Sequence, residues 1–273
     1  NRAVAAHVIT AADAEKAKAL HIPTIRYAFP MLAPHLAEAQ VAEHPTEQII
    51  KLTLDRHLQA SLEGLAAEQA RLLGDKVSAA IVVADHQTGE ILAQVGSAGY
   101  MDSSRQGAVD MATAVRSPGS TLKPFIYGLA FEAGFAHPEM LIDDRPVRYG
   151  NYTPENFDLT FQGTVTVRRA LQMSLNVPAI AVLGKVGVSR LSARLMQTGA
   201  ALVLPKGEAP GLAMGLGGVG IKLTDLVMLY TGLARMGSAV PLIERQGEIA
   251  QNPRRLLDPV AAWYVGNILV GAP

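Results

Sequence analysis

The pattern of apolar positions predicts a strand-bearing region followed by a long helical one. Over residues 55–73 the leucines recur at helical spacing, and Asp55 stands where it can cap the helix. Residues 77–84 and 90–95 are typical of β-strands, and their connection contains a glycine, which indicates a hairpin. Residues 49–54 alternate and predict another short strand. The predicted apolar face of the first helix consists of Leu58, Leu62, Leu65 and Leu72.

The second part of the chain carries mainly helical patterns. After the turn formed by residues 117–119, apolar residues recur three and four positions apart in one segment after another. Pairing strands that are flanked by many helices indicate an α/β (α+β) fold, in which helices pack on an antiparallel sheet. The predicted helices cover residues 125–133, 167–173, 177–184, 188–197, 222–236 and 258–270.

Residues 1–48 differ from the rest of the chain. Four prolines interrupt this segment, and one short helix is predicted over residues 11–20 with Thr10 as its N-cap. We interpret residues 1–48 as a linker or the remnant of a preceding region, and residues 49–273 as the main domain. The sequence starts with Asn1 and lacks the layout of a signal peptide, so we interpret it as a piece of a longer protein.

Composition excludes several classes of protein. The chain has 273 residues, 49% of them hydrophobic and 18% charged, enough to bury one large core or two smaller ones. Its 24 Lys and Arg residues offset 24 Asp and Glu residues, which argues against a nucleic-acid partner. The absence of cysteine excludes disulfides, thiolate metal sites and cysteine nucleophiles. No apolar stretch approaches the ~20 residues of a membrane helix.

Metal and nucleotide sites find little support in the sequence. The seven histidines are scattered and show no metal-ligand spacing. Residues 215–220 fit the G-x-G-x-x-G fingerprint of dinucleotide-binding proteins, but the strand and the later acidic residue that the fingerprint needs are missing. A tight turn before a buried helix explains these glycines better. No metal or organic cofactor is implied.

A serine nucleophile is the strongest candidate for chemistry. Ser120 and Lys123 form the only Ser-x-x-Lys sequence of the chain, directly after Gly119. A spacing of three puts hydroxyl and amine on one helix face, where the positive helix end and burial favour a neutral amine that accepts the hydroxyl proton. Because Pro124 has no N–H, we expect a 3₁₀ first turn. The same residues also fit a capped helix with an exposed lysine.

A Ser-x-Asn sequence, formed by Ser174 and Asn176, lies between two predicted helices. Asn176 could simply cap the second helix, with Pro178 in its first turn. Alternatively, Ser174 relays a proton, while Asn176 hydrogen-bonds both Lys123 and a substrate amide. In that case we expect Ser120 to come within hydrogen-bond range of Lys123, and Ser174 or Asn176 to lie within one water of the amine.

Ser-x-x-Lys followed by Ser-x-Asn is the motif set of penicillin-binding proteins and serine β-lactamases. The longer strings resemble the penicillin-binding transpeptidases, and residues 143–147 and 156–158 are most similar to a bifunctional member that also carries a glycosyltransferase domain. The resemblance covers about residues 49–273. The strings that carry it are Ser104–Asp110, Pro118–Phe125, Tyr152–Asp158 and Ala170–Ala179.

This resemblance implies a β-lactamase/transpeptidase-like fold with a helical subdomain and a peptidoglycan DD-transpeptidase activity. Ser120 would attack a stem peptide ending in D-Ala-D-Ala and form an acyl-enzyme, with Lys123 as base and Ser174 and Asn176 assisting. β-Lactam antibiotics would acylate the same serine as substrate mimics. The implied location is the periplasmic face of the bacterial inner membrane, with membrane contact only through an anchor outside this sequence.

Two other functions share these motifs. A serine β-lactamase would hydrolyse its acyl-enzyme quickly, but no feature of the sequence identifies a deacylating base. A β-lactam-binding sensor module would use the same fold without turnover. Labelling with a penicillin distinguishes the three, because a long-lived adduct indicates a transpeptidase or sensor and rapid return of free protein indicates a β-lactamase.

The family's third motif, Lys-Thr-Gly on a strand, has no full counterpart in this sequence. Residues 230–232 read Tyr-Thr-Gly and are predicted to be helical, and residues 205–207 read Pro-Lys-Gly. We therefore expect the sequence to stop before this motif. The missing strand would then come from a second chain or from residues beyond Pro273, and one oxyanion-hole donor would come with it.

Overall fold

Two compact units make up the chain in the computed structural model, which describes residues 2–19, 31–150, 152–204, 211–250 and 252–273. Their bounds are Asn1–Met31 and Leu32–Pro273. In the first unit, helices α1 (Arg2–Ala5) and α2 (Ala11–Ala19) are described. Thr10 caps α2 as predicted, since the Asp13 N–H donates to Thr10 Oγ1 at 3.2 Å. The assignment of residues 1–48 to a linker or preceding region stays a prediction.

The larger unit combines helices with short strands, and the six helices predicted after residue 119 are confirmed. None of the described helices is both long enough and apolar enough to cross a membrane. The helices are α3 (Pro34–Glu43), α4 (Arg56–Leu73), α5 (Lys123–Glu132), α6 (Val167–Gln172), α7 (Asn176–Val186), α8 (Val188–Gln197), α9 (Leu223–Ala234) and α10 (Pro259–Leu269). The strands are β1 (Ile81–Ala84), β2 (Ile91–Val95), β3 (Leu141–Asp144), β4 (Gly163–Thr166), β5 (Ser238–Ala239) and β6 (Arg254–Arg255).

The strands pair antiparallel, β1 with β2, β3 with β4 and β5 with β6. The hairpin β1–β2 is the predicted one and places Ile81 opposite Val95. In β3–β4, Asp144 lies opposite Gly163. Helices with small antiparallel sheets agree with the predicted fold class. Within the described ranges, however, the single sheet that we predicted consists of three separate strand pairs.

Residues 49–54 do not form the predicted strand. Leu52 alone makes an isolated antiparallel bridge, to Arg245. The next residue, Thr53, donates its hydroxyl to the Ile91 carbonyl at 2.7 Å. The Asp55 N–H donates to the Leu92 carbonyl of β2 at 2.9 Å, so the chain changes its pairing partner after the bridge and no regular ladder forms.

Helix α4 begins after Asp55, as predicted, but buries a different face. Leu65 and Leu72, which we predicted to face the core, are 44% and 63% exposed. Gln59 is buried instead, because its amide accepts the Gln94 N–H at 2.8 Å and donates to the Gln94 carbonyl at 3.0 Å. These bonds, together with small side chains, let the helix approach β2 closely. The buried positions are Gln59, Ala66 and Ala70.

The glycines at 215–220 form the predicted turn before a buried helix. A 3₁₀ turn at Leu212–Leu216 leads through them into α9. Residues 230–232, the partial match to a third motif, lie inside α9 as predicted. The other partial match, residues 205–207, lies outside the described residues.

Helix α5 is the centre of the hydrophobic core. All side chains from Lys123 to Phe131 are buried, as expected for a helix that is apolar on every side. Helices α7 and α10 pack against it. Lys123 is the single charged residue in this buried stretch, and it stands at the helix end that follows Ser120.

Candidate active site

The loop before Ser120 is held by the glycine-rich segment 215–220. Ser117 Oγ donates to the Gly217 carbonyl at 2.7 Å, and the Gly119 N–H donates to Ser117 Oγ at 3.3 Å. Gly119 and Gly217 have φ angles of 55° and 97°, which side chains rarely adopt. A Cβ at Gly217 would lie 2.5 Å from Ser117 Oγ and 2.7 Å from the Gly119 backbone. The glycines therefore support the loop, a role that the sequence pattern did not indicate.

A 3₁₀ turn over Gly119–Leu122 carries the serine into α5, as predicted. The Lys123 N–H donates to the Ser120 carbonyl, so the chain closes over three residues rather than four. Pro124, which has no N–H to donate, follows in the first turn of α5. In this geometry positions three apart stack over one another, which places the Ser120 and Lys123 side chains on one side of the turn.

The Lys123 amine is buried, so the alternative of an exposed lysine is wrong. Only 1% of the surface of Lys123 is exposed. Nζ donates to the Ser174 carbonyl at 2.5 Å, to Ser174 Oγ at 3.2 Å and to Asn176 Oδ1 at 2.6 Å. Burial lowers the pKa of Lys123 to about 8. The three acceptors match the three N–H groups of an ammonium, and the lowered pKa makes the neutral amine accessible near neutral pH.

The Ser-x-Asn turn reaches the amine because of its backbone. Ser174 has a φ of 53°, in the left-handed region, and Leu175 is extended and holds the N-cap position of α7. Asn176 is therefore the first residue of the helix, with Pro178 in its first turn. The interpretation of Asn176 as the helix cap is wrong, because Leu175 holds the N-cap position and the Asn176 side chain bonds Lys123 and Glu155 instead.

The orientation of the Asn176 amide is fixed from two sides. Its Oδ1 accepts from Lys123 Nζ, which can only donate, and its Nδ2 donates to the Glu155 carbonyl at 2.7 Å. The Asn176 backbone N–H also donates, to Asn156 Oδ1 at 2.7 Å. The predicted closeness to Lys123 is confirmed as direct contact. The predicted contact with a substrate amide stays a prediction.

The Ser120 hydroxyl lies at the surface beside this arrangement. Within the described residues no hydrogen bond joins Ser120 Oγ to Lys123 Nζ, so the Ser120–Lys123 contact that we expected is not formed. The reason is that Ser174 and Asn176 already accept from the amine. The structure thus brings Lys123, Ser174 and Asn176 together and leaves Ser120 exposed at the start of the same turn.

Sequence reasoning gave no role to Glu155 and Asn156, which hold Asn176. Both lie within the string 152–158 that carried the family resemblance, but a string match does not say which groups meet. A signal was present in β3, where Ile142 and Asp144 share a strand face. A carboxylate in such a position needs a donor, and Asn156 supplies it at 2.9 Å.

The family model and the relatives that match this chain all point to the same family. Residues 79–205 match the family model described as the penicillin binding protein transpeptidase domain. Penicillin-binding protein 1C of Escherichia coli (strain K12) is 41% identical over 241 residues, which are 88% of this chain and 31% of that protein. Penicillin-binding protein 1F of Bacillus subtilis (strain 168) is 34% identical over 235 residues, 81% of this chain and 32% of that protein. The chain thus spans about a third of the length of these relatives.

A solved structure supports the fold. The penicillin-binding protein PonA1 from Mycobacterium tuberculosis superimposes with a TM-score of 0.65 at 19% sequence identity. The match covers 85% of this chain and 67% of that chain. At this identity the likeness concerns the fold, and the predicted transpeptidase-like architecture is confirmed by it.

Proposed function

The chain belongs to the penicillin-binding protein family, whose transpeptidase-domain model matches residues 79–205, and on this premise we propose that it is the peptidoglycan-cross-linking part of a DD-transpeptidase. We propose Ser120 as its nucleophile. The observation that carries the proposal is the buried Lys123 amine, which the Ser-x-Asn turn holds three residues along the chain from the exposed Ser120. An amine with a lowered pKa next to an exposed serine is what activation of a hydroxyl requires.

In the proposed acylation, Ser120 Oγ attacks the carbonyl carbon between the two D-alanines of a stem peptide. A C–O bond forms, the C–N bond breaks, and the terminal D-alanine leaves with a proton on its amine. A side-chain amine of a second stem peptide then attacks the ester. The new C–N bond forms, the C–O bond to Ser120 breaks, and a proton from the attacking amine goes to Ser120 Oγ. The Ser120 N–H supplies one donor to the oxyanion.

Lys123 is the proposed base. Its ammonium form donates all three N–H groups to Ser174 and Asn176, whereas the neutral form has a lone pair to accept a proton. Ser174 Oγ makes the longest of the three contacts, at 3.2 Å. We assign Ser174 the role of relay, because its hydroxyl can turn to donate to the lone pair while it accepts a proton from outside. Asn176 keeps the amine in place.

The proposed partners follow from this chemistry. They are stem peptides ending in D-Ala-D-Ala and β-lactams, whose strained amide presents the same acyl group to Ser120. The proposal needs no metal or organic cofactor and no nucleic acid. We further propose that the domain acts at the periplasmic face of the inner membrane, in a protein that also has glycosyltransferase activity.

Mass spectrometry of the full-length protein with a penicillin tests the proposal. We expect a covalent adduct on the peptide that contains Ser120, long-lived relative to the time of mixing, and turnover of a D-Ala-D-Ala peptide. Rapid return of the free protein would instead indicate a β-lactamase. A stable adduct without peptide turnover would indicate a sensor. Absence of an adduct on Ser120 would contradict all three.

A further inference from the structure

A buried carboxylate lies behind the Ser-x-Asn turn and takes no part in the proposed chemistry. Asp144, at the end of β3, is 0% exposed. In the part of the chain that the structure describes, no Lys, Arg or His forms an ion pair with it. Its partners are neutral donors: Asn156 Nδ2 lies 2.9 Å from each carboxylate oxygen, and the Gln162 N–H donates at 2.7 Å.

Asp144 fixes which way the Asn156 amide points. Asn156 is buried, and its Nδ2 donates to the carboxylate and to the Thr160 carbonyl at 2.8 Å. An amide has its donors on the nitrogen and its acceptor on the oxygen, so these contacts turn Oδ1 to the opposite side. There Oδ1 accepts the backbone N–H of Asn176 at 2.7 Å.

The contacts continue to the amine. Glu155 and Asn156 bind Asn176 at two points, the first through the side-chain Nδ2 and the second through the backbone N–H. With both donors held, the Asn176 Oδ1 is left to face Lys123 Nζ at 2.6 Å. An unbroken set of hydrogen bonds thus joins Asp144 to Lys123, each with its direction fixed by the chemistry of the groups.

We propose that Asp144 and Asn156 are positioning residues for acylation, which hold the Ser-x-Asn turn where it binds the Lys123 amine. The inference rests on the proposed function, and neither residue touches the substrate. A buried carboxylate without a cation costs free energy, and an apolar pair of similar volume would fill the space with less cost. What the polar pair adds is a contact of defined direction on the backbone of Asn176.

An exchange of the two side chains tests the inference. The readout is the rate constant for acylation of the full-length protein by a fluorescent penicillin, divided by the folded fraction from circular dichroism. Asn156→Asp puts two carboxylates face to face, and we expect the rate constant to fall on the order of 10²-fold. Adding Asp144→Asn restores one donor–acceptor pair of reversed polarity and leaves an acceptor for Asn176, so we expect most of the rate to return.

The exchange separates positioning from stability. Neither Asn156→Asp nor the double variant can donate to the Thr160 carbonyl. The difference between their acylation rate constants therefore reports on the pair at positions 144 and 156 alone. Asn267→Asp changes an exposed asparagine of α10 in the same way and should leave the rate unchanged. If Asn156→Asp does not fold, the single variant Asp144→Asn is measured instead, because its amide oxygen still accepts the Gln162 N–H. We expect its acylation rate constant to be lower than that of the wild type.

Several results would overturn the inference. One is a wild-type acylation rate constant in folded Asn156→Asp. Another is a double variant that regains its folded fraction but not its acylation rate constant. If Asn156→Asp does not fold, a wild-type rate constant in folded Asp144→Asn has the same meaning. A protein that is not acylated before any substitution contradicts the proposed function instead, and that outcome is visible in the unmodified sample.

Discussion

The Lys123 side chain combines burial with complete hydrogen bonding. It is a cation at the end of a helix that is buried from Lys123 to Phe131, yet Ser174 and Asn176 accept from each of its N–H groups. Satisfied donors remove much of the penalty of burial, whereas the loss of bulk water still disfavours the charge. The result is a pKa of about 8, at which roughly a tenth of the amines are neutral at pH 7.

Replacement of the nucleophile gives the simplest test at this scale. Ser120→Ala removes an exposed hydroxyl for which the structure shows no side-chain hydrogen bond to Lys123, so we expect the fold and the melting temperature to be retained. Covalent labelling of the full-length protein by a fluorescent penicillin should be abolished. Continued labelling, traced by peptide mapping to another serine, would show that the nucleophile is misassigned.

Acylation should depend on pH through Lys123. The pKa is lowered by burial, so the neutral base is scarce well below pH 8 and dominant above it. We expect the acylation rate constant to rise with pH and level off above about pH 8. Lys123→Ala should slow acylation by ~10²–10⁴-fold and remove this step in the pH profile. A wild-type rate that is flat from about pH 5 to 9 would mean that the lysine is only structural.

Among the elements, helices were predictable where their apolar pattern is long. Helix α5 carries no charged residue between Lys123 and Glu132, and α7 and α10 carry strong local patterns, so local sequence sufficed to locate them. The buried face of α4 was not predictable, because Gln59 enters the core through bonds to Gln94, which is 35 residues away. The prediction of a strand at residues 49–54 was wrong for a similar reason, because the partner of Leu52 is Arg245, far along the chain.

Part of the site could be predicted from the sequence. The 3₁₀ turn follows from local residues, because Gly119 and Pro124 restrict the backbone in known ways. The meeting of Lys123 with the Ser-x-Asn turn came from the motif set rather than from spacing. The bond between Asp144 and Asn156 could not be predicted, because the alternation in β3 indicates that Asp144 faces inward but not which group meets it.

The glycine-rich segment gives a prediction for an element that touches no substrate. Gly217→Ala forces a side chain onto a residue with a φ of 97° and places its Cβ 2.5 Å from Ser117 Oγ. The loop before Ser120 must shift, and we expect acylation by penicillin to slow on the order of 10²-fold in the folded protein. Gly266→Ala in α10, where a Cβ meets nothing within 4 Å, is the matched control and should acylate normally. Equal rates in the two variants would remove the supporting role of the segment.

At the scale of the whole molecule, α5 is tied down at both ends by polar groups. Lys123 binds the Ser-x-Asn turn at one end, and Glu132 binds two other helices at the other. Arg194 of α8 donates to both Glu132 oxygens at 3.0 and 2.8 Å, and the Asp258 N–H before α10 donates at 2.8 Å. The apolar surface of the helix favours burial in many orientations, and these contacts select one of them.

Loss of the Glu132 charge should therefore destabilise the domain in a pH-dependent way. Burial opposes ionisation of Glu132, but the bonds from Arg194 and the Asp258 N–H outweigh it and hold its pKa below the ordinary 4.5. A lowered carboxyl pKa stabilises the fold above the unfolded-state value and loses that contribution as pH falls through the folded-state value. We expect Glu132→Gln to reduce the free energy of unfolding by about 2 kcal/mol at pH 7, lowering the melting temperature by roughly 4–8 °C. The difference in the free energy of unfolding between Glu132→Gln and the wild type should narrow below pH 4.5.

The control is Glu139→Gln, which breaks an exposed pair with Arg168 and should reduce the free energy of unfolding by no more than about 0.5 kcal/mol. Equal melting temperatures for the two variants at pH 7 would show that the Glu132 contacts do not hold α5.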